Sequence, residues 1–237
     1  MRLGIMQPYF FPYIGYWQLI SAVDKFILLD DVQYIRHGWI NRNRVLKDTG
    51  WKYITIPLKK HKRETLIKDI EISNGVEPSK LLLNSLDFYK KRALFYDETI
   101  SLLTESMKGV ESNKITDLNY AIILNLARHL GLKTVIEVSS KKGFDYTDVR
   151  APGDWAFEIS RQTGANTYIN PISGRELFDR NKFIQAGIEI LFIEPKEVKY
   201  EQDDHSIFEP RLSIIDVLMF NGLQKTKEML QFYELRR

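Results

Sequence analysis

Two neighbouring carboxylates, Asp30 and Asp31, close the apolar run at residues 25–29 (KFILL). Such a run reads as a buried strand, and acids at its carboxyl end can bind Mg²⁺, hold a ribose or an amine, or take up a proton. The pair also fits a solvated turn that caps a helix. Residues 32–44 (VQYIRHGWINRNR) then set Gln33, Tyr34, Arg36, His37, Asn41, Arg42, Asn43 and Arg44 around Trp39. An arginine fork suits phosphate oxygens and an aromatic face suits a base or sugar ring. Little apolar periodicity calls for these rings in a core, although a surface connection with Trp39 tucked in for packing is the alternative.

Other candidates stand at other turns. Residues 7–12 (QPYFFP) follow the short apolar strand at 3–6, and each proline fixes its own φ and biases the residue before it away from helix. A helix is expected over 13–22. The spacing Tyr13-Ile14-Gly15-Tyr16, with Leu19 and Ile20 behind it, is similar to the His-x-Gly-His run of nucleotidyltransferase-superfamily enzymes, whose imidazoles and backbone N–H groups hold nucleotide phosphates. Here both histidines are tyrosines. A phenol can hydrogen-bond a phosphate but carries no charge near neutral pH, so proton donation to a leaving phosphate is lost. Tyr9, Tyr13, Gly15 and Tyr16 are therefore candidate substrate contacts, with amphipathic packing as the competing account. A second strand-to-helix turn contributes Asn170, Ser173 and Gly174, where backbone N–H groups suit an anion, or Ser173 simply caps the helix. The basic run at 59–63 either attracts a diphosphate or is a solvated loop. His205, beside Asp203 and Asp204, has the chemistry of a general base but the setting of an ordinary loop histidine. Asp216 interrupts an apolar helix, exposed or paired inside.

The elements that must position these residues follow from periodicity. Strands are expected at 3–6, 25–29, 51–58, 134–138, 166–170 and 189–193, with 66–72 as an edge strand. Helices are expected through 78–130, over 154–163 and 175–186, and as a terminal pair at 213–220 and 224–235 divided by Asn221-Gly222. The alternation predicts an α/β fold: an open, mostly parallel, Rossmann-like sheet in a single domain over 1–237, with a helical insertion at 78–131. At 237 residues and 44% hydrophobic, the chain can bury a full core. A net charge of +3 is too balanced to argue for nucleic acid but tolerates anionic small molecules. The absence of cysteine excludes disulfides, thiolate zinc sites and a cysteine nucleophile, and His37, His61, His129 and His205 lack ligand spacing, so no metal site is expected. With no leader-like start and no apolar run long enough for a bilayer, a cytoplasmic protein without membrane insertion is expected, its oligomeric state left open.

Four stretches resemble the WbqC-like family of bacterial proteins: IMQPYFFPYIGYWQLI, DKFILLDDVQYIRHGWINRNR and, more loosely, TYINPISGRELFD and FEPRLSIIDVLMFNG. Members of that family lie in gene clusters for surface polysaccharide, such as the O-antigen of lipopolysaccharide. The resemblance implies a glycine transferase that adds a glycyl group to the amine of a nucleotide-linked amino-dideoxy sugar. The acyl donor is left open between aminoacyl-tRNA, a carrier thioester, and a free amino acid activated with ATP and Mg²⁺. Under this reading Asp31 is the base or amine-orienting group, and Gln7 or Asn41 donates to the developing oxyanion. A nucleotidyltransferase proper and a non-catalytic nucleotide-sugar binding protein are the competing functions.

Overall fold

Short apolar runs rich in β-branched and aromatic residues pair side by side to build the sheet. The computed structural model describes residues 1–196, 199–203 and 207–237. Strand β1 (Arg2–Met6) leads through loop 7–12 into helix α1 (Ile14–Ala22), and β2 (Lys25–Leu28) returns parallel to β1, with Leu3 opposite Lys25. A two-stranded antiparallel hairpin follows, β3 (Arg42–Leu46) against β4 (Trp51–Thr55). Helices α2 (Pro78–Asn84), α3 (Tyr96–Ser106) and α4 (Ile115–His129) precede β5 (Val135–Val138). The chain then alternates through α5 (Asp154–Thr163), β6 (Thr167–Pro171), α6 (Arg180–Gln185) and β7 (Glu189–Pro195), and ends in α7 (Ile214–Met229) and β8 (Tyr233–Arg236).

The six-stranded sheet has the order β5-β2-β1-β6-β7-β8, parallel throughout except for β8. From β1 the chain steps outward to β2 and β5, then crosses back to β6 and β7 on the other side. The order therefore reverses between β1 and β6, where loops beyond the carboxyl ends part and leave a crevice. One buried apolar cluster joins α1, the hairpin, α4 and α7 through residues such as Trp17, Val45, Leu126 and Leu218. A second, on the opposite face, joins Leu3, Ile27 and Tyr168 to Phe157 of α5 and Phe183 of α6.

Several expected elements differ. Residues 66–72 do not form an edge strand: a single 3₁₀ turn, Ile67–Asp69, lies between isolated bridges at Leu66 and Ile72. Ile67 and Ile70 are both buried at a spacing of three, which suits a turn and not an alternating strand. The helix expected over 175–186 is the 3₁₀ segment Ile172–Leu177 followed by the short α6, whose start Asp179 caps by accepting from the N–H groups of Asn181 and Lys182. The terminal helix stops at Met229 instead of running to 235. Gln18 Nε2 donates to the carbonyls of Met229 and Phe232, and Ser21 Oγ to that of Leu230, so α1 captures the helix end and turns the chain into β8. The division at Gly222 is a kink within α7, where φ is 65° and the Phe95 ring fills the space a side chain would need. The end of the 32–44 segment, where no strand is expected above, is β3 itself.

Candidate functional site

Loop 7–12 follows β1 at the switch crevice, and the carbonyls of Gln7, Pro8, Phe10, Phe11 and Pro12 are each pinned by a side chain. Tyr16 donates its hydroxyl to Gln7 O (2.9 Å), and Asn119 Nδ2 reaches Pro8 O (2.8 Å). Asn43 Nδ2 holds Phe10 O and Phe11 O (2.9 and 2.8 Å), Ser213 Oγ adds a bond to Phe11 O (2.7 Å), and Trp17 Nε1 donates to Pro12 O (3.0 Å). Two prolines and these donors make the loop a rigid wall.

Strand β3 extends the same device to other loops. Among the described residues, the non-glycine residues with left-handed backbone are Phe11, His37 and Arg211, at φ 40°, 63° and 57°. Each has its carbonyl held by one of three consecutive β3 side chains: Arg42 bonds His37 O, Asn43 bonds Phe11 O, and Arg44 Nη2 bonds Arg211 O at 3.0 Å. Backbone in that region persists only where its surroundings over-determine it. Arg42, Asn43 and Arg44, read from sequence as substrate contacts, are thus placed as clamps on three loops. Above them Arg42 stacks on Tyr53 (4.1 Å), and Arg44 lies between Trp39 and Trp51 (5.7 and 5.1 Å).

Beyond the ends of β1 and β2 opens a cleft of about 1040 Å³. Gln7, Gln33 and Tyr34 form one wall, Arg36, Arg63 and Arg150 surround it, and Trp155 faces it from the start of α5. At the end of β2, Asp31 accepts from Lys68 Nζ (2.9 Å) and from the Tyr146 hydroxyl (3.0 Å). The Tyr146 ring packs 4.5 Å from that of Trp155, which links this carboxylate to the cleft. Burial, reinforced by the Asp31 charge, pushes the Tyr146 hydroxyl well up, so it stays a neutral donor; the hydrogen bond to Asp31 holds the Lys68 ammonium above its usual range. The turn carrying Arg150 is fixed by Asp154, which accepts from the N–H groups of Arg150 and Ala151 and from Lys182 Nζ. Lys182 and those N–H groups hold the Asp154 carboxyl at about 2.

The remaining sequence candidates divide by environment. Asp30 is 1% exposed and bonded to Ser139 Oγ, Ser140 N and Ser140 Oγ, so it ties the ends of β2 and β5 together. Burial raises its pKa against those donors. With Asp31 paired to an ammonium and Asp30 saturated, the two carboxylates do not fit a Mg²⁺ site, and among the described residues no cluster of His, Asp and Glu could hold a metal. Asn41 is engaged at both ends, accepting from Tyr34 OH (2.8 Å) and donating to Ile56 O (2.8 Å), and so is not placed to face an oxyanion; the same bond commits the Tyr34 hydroxyl. Tyr16 is buried with its hydroxyl committed to Gln7 O, and the Tyr13 ring lies over Gly15, where a Cβ would meet it at 2.5 Å. Gln33 donates to Arg63 O (2.8 Å), and Trp39 stands on the hairpin's outer face. On β6, Asn170 accepts from Tyr168 OH and packs so closely on Gly174 that a side chain there would clash at 2.4 Å; Ser173 is exposed and caps nothing. Asp204 and His205 lie outside the described residues. Lys68, Tyr146, Arg150 and Trp155 escaped sequence reading. The strand-end rule applied after β5 would have pointed to the last three.

The family model described as "WbqC-like protein family" matches residues 7–228. Uncharacterized protein Rv1507c of Mycobacterium tuberculosis is 26% identical over 237 residues, covering 98% of each chain. No solved structure matches. The matched stretch contains loop 7–12, Asp31, the β3 clamps and the arginine-rimmed cleft, and the chain belongs to the WbqC-like protein family.

Proposed function

We propose that the protein is an N-acyltransferase, forming an amide, in the first instance a glycyl amide, on the amine of a nucleotide-linked amino-dideoxy sugar. The observation that carries this reading is Asp31, a carboxylate at a strand's carboxyl end, beside a cleft that combines three guanidinium groups with an indole. Arg36, Arg63 and Arg150 supply charge for a diphosphate, and Trp155 supplies a face for a sugar or base. The cleft volume suits a ligand of nucleotide-sugar size.

Amide formation from an ammonium needs a proton acceptor, an oxyanion donor and an acyl group with a leaving atom. Asp31 takes the proton from the sugar ammonium, and the freed lone pair attacks the acyl carbonyl. Gln7, half-buried in the cleft wall, donates its amide to the oxyanion. As the C–N bond completes, the bond from the acyl carbon to the donor's oxygen or sulfur breaks and the donor leaves. Lys68 and Tyr146 hold Asp31 in one orientation, so little reorganisation accompanies proton transfer.

A second reading follows from the same contacts. Both Asp31 oxygens already accept hydrogen bonds, which suits a fixed amine receptor as well as a base, and a nucleotide-sugar binding protein would need no more. The test incubates the protein with a dTDP-linked amino-dideoxy sugar, glycine, ATP and Mg²⁺, with and without tRNA and its charging enzyme, and follows the sugar nucleotide by mass spectrometry. A mass gain of one glycyl group supports the transferase, and its dependence on tRNA identifies the donor. Protection of the fold against heat without any mass gain supports the binding protein.

A further inference from the structure

Arg211 holds a left-handed backbone, φ 57°, that a residue with a Cβ rarely adopts. Its surroundings impose it. Arg44 Nη2 donates to Pro210 O (3.2 Å) and Arg211 O (3.0 Å), Ser213 forms an antiparallel bridge with Tyr13, and Ile214 N donates to Pro12 O (3.0 Å). Residues 211–214 are therefore fixed alongside 11–13, and strain maintained so firmly is a mark of function. The Arg211 side chain is exposed and forms no ion pair or hydrogen bond among the described residues. Tyr13 is its neighbour: burial raises the pKa of the phenol and the Arg211 charge opposes that rise. Tyr9 stands next to Tyr13 and packs 5.5 Å from Tyr16. Neither the Tyr9 nor the Tyr13 hydroxyl has a hydrogen-bond partner among the described residues. Nearby, Pro195 at the end of β7 approaches Gly15, which places the cluster at the carboxyl edge of the sheet.

A guanidinium aimed by a constrained backbone, beside two unpartnered phenols that can donate their hydroxyl protons, has the donor set of an anion site. We propose that Arg211, with the hydroxyls of Tyr9 and Tyr13, forms a phosphate-binding subsite that takes a phosphate group of a nucleotide. Gln7 lines the arginine-rimmed cleft and Tyr9 lies two residues further along the same pinned loop, so the subsite and the cleft flank one wall. Arg211 supplies the charge that tyrosines in the Tyr13-Ile14-Gly15-Tyr16 run lack. The proposal rests on the amide-transfer reading only for the identity of its ligand, a nucleotide belonging either to the acyl donor or to the sugar.

Calorimetry with inorganic pyrophosphate tests it. Binding to Arg211→Gln and Arg211→Gly is expected to weaken about tenfold or more, and to Tyr13→Phe by a few fold, while Lys108→Gln, which removes an exposed cation on the turn after α3, keeps its affinity. Glycine suits the left-handed backbone, so Arg211→Gly removes the side chain without a folding penalty. Competition by ATP but not dTDP assigns the subsite to the donor nucleotide, and competition by dTDP assigns it to the sugar nucleotide. Unchanged pyrophosphate affinity in both Arg211 variants, no binding by the wild-type protein, or pyrophosphate that neither nucleotide displaces would overturn the proposal. Lost pyrophosphate binding without glycyl transfer from any donor leaves the subsite standing and the amide-transfer reading fallen. Transfer by a protein whose Arg211 variants bind pyrophosphate normally does the reverse.

Discussion

Asp31 and Asp30 are adjacent, chemically identical and differently used. Asp30 turns inward to three donors from the residues after β5, whereas Asp31 meets Lys68 and Tyr146 at the cleft. Of the two, only Asp31 keeps a partly exposed side chain, and the ligand-facing role is proposed for it. Asp31→Asn is expected to leave the fold intact and lower the rate of amide formation by roughly 10²- to 10⁴-fold, because an amide cannot accept the ammonium proton. Steady-state turnover and a thermal melt, measured on the same preparation, check both halves. Tyr146→Phe removes a donor to Asp31 but not the charge, so a smaller loss is expected.

At the level of elements, β3 organises the site without touching the cleft. Arg42, Asn43 and Arg44 each hold one left-handed carbonyl, and Asn43 alone secures Phe10 O and Phe11 O from a buried position. Asn43→Ala is expected to destabilise the protein by about 2–4 kcal/mol, since two buried carbonyls lose a donor, and to raise protease sensitivity within loop 7–12. Equilibrium urea unfolding reads the first and limited proteolysis the second. These clamps also show where sequence reading stopped. The buried parallel strands β1, β2, β5, β6 and β7 were legible because strands covered on both faces concentrate apolar residues into short runs. The segment RNRVL hid a strand because its outward arginines and inward asparagine serve loops remote in sequence. The segment YELR, mostly exposed on an edge, reads as helix until Gln18 and Ser21 are seen to end α7. Strand-end position led to Asp31 and Gln7, but Lys68 and Tyr146 reach Asp31 across 37 and 115 residues of chain, which no local pattern records.

The molecule as a whole carries one ionisable group far from the cleft that should govern its response to pH. Asp216 is fully buried at the start of α7, accepting from Tyr89 OH, Tyr200 OH and Gln202 Nε2. Burial outweighs these donors and raises the carboxyl from 3.8 to about 6. A folded-state pKa above the unfolded value means that folding retains a proton the unfolded chain releases. The contribution of Asp216 to stability is therefore fully present below about pH 4 and is lost as pH rises to about 6, an amount on the order of 3 kcal/mol. Asp30, also raised by burial, acts with the same sign, whereas Glu71 and Asp154, each held at about 2, act with the opposite sign and lose their contributions as pH falls from about 4.5 toward 2. Thermal melts between pH 4 and 6 should show a falling midpoint that flattens in Asp216→Asn; parallel profiles for the two proteins would remove Asp216 from this role. No helix among the described residues is long and apolar enough to cross a membrane.

The central claim is that Asp31 receives the substrate amine, and it can be measured before the acyl donor is known. Calorimetry would compare a nucleotide-linked amino sugar with its hydroxy counterpart, on the wild-type protein and on Asp31→Asn. In the wild type the amine is expected to add roughly 1.5–3 kcal/mol of binding free energy through its charged contact with Asp31, and in the variant that increment should vanish. An amine increment of equal size in both proteins, or none in the wild type, would contradict the account.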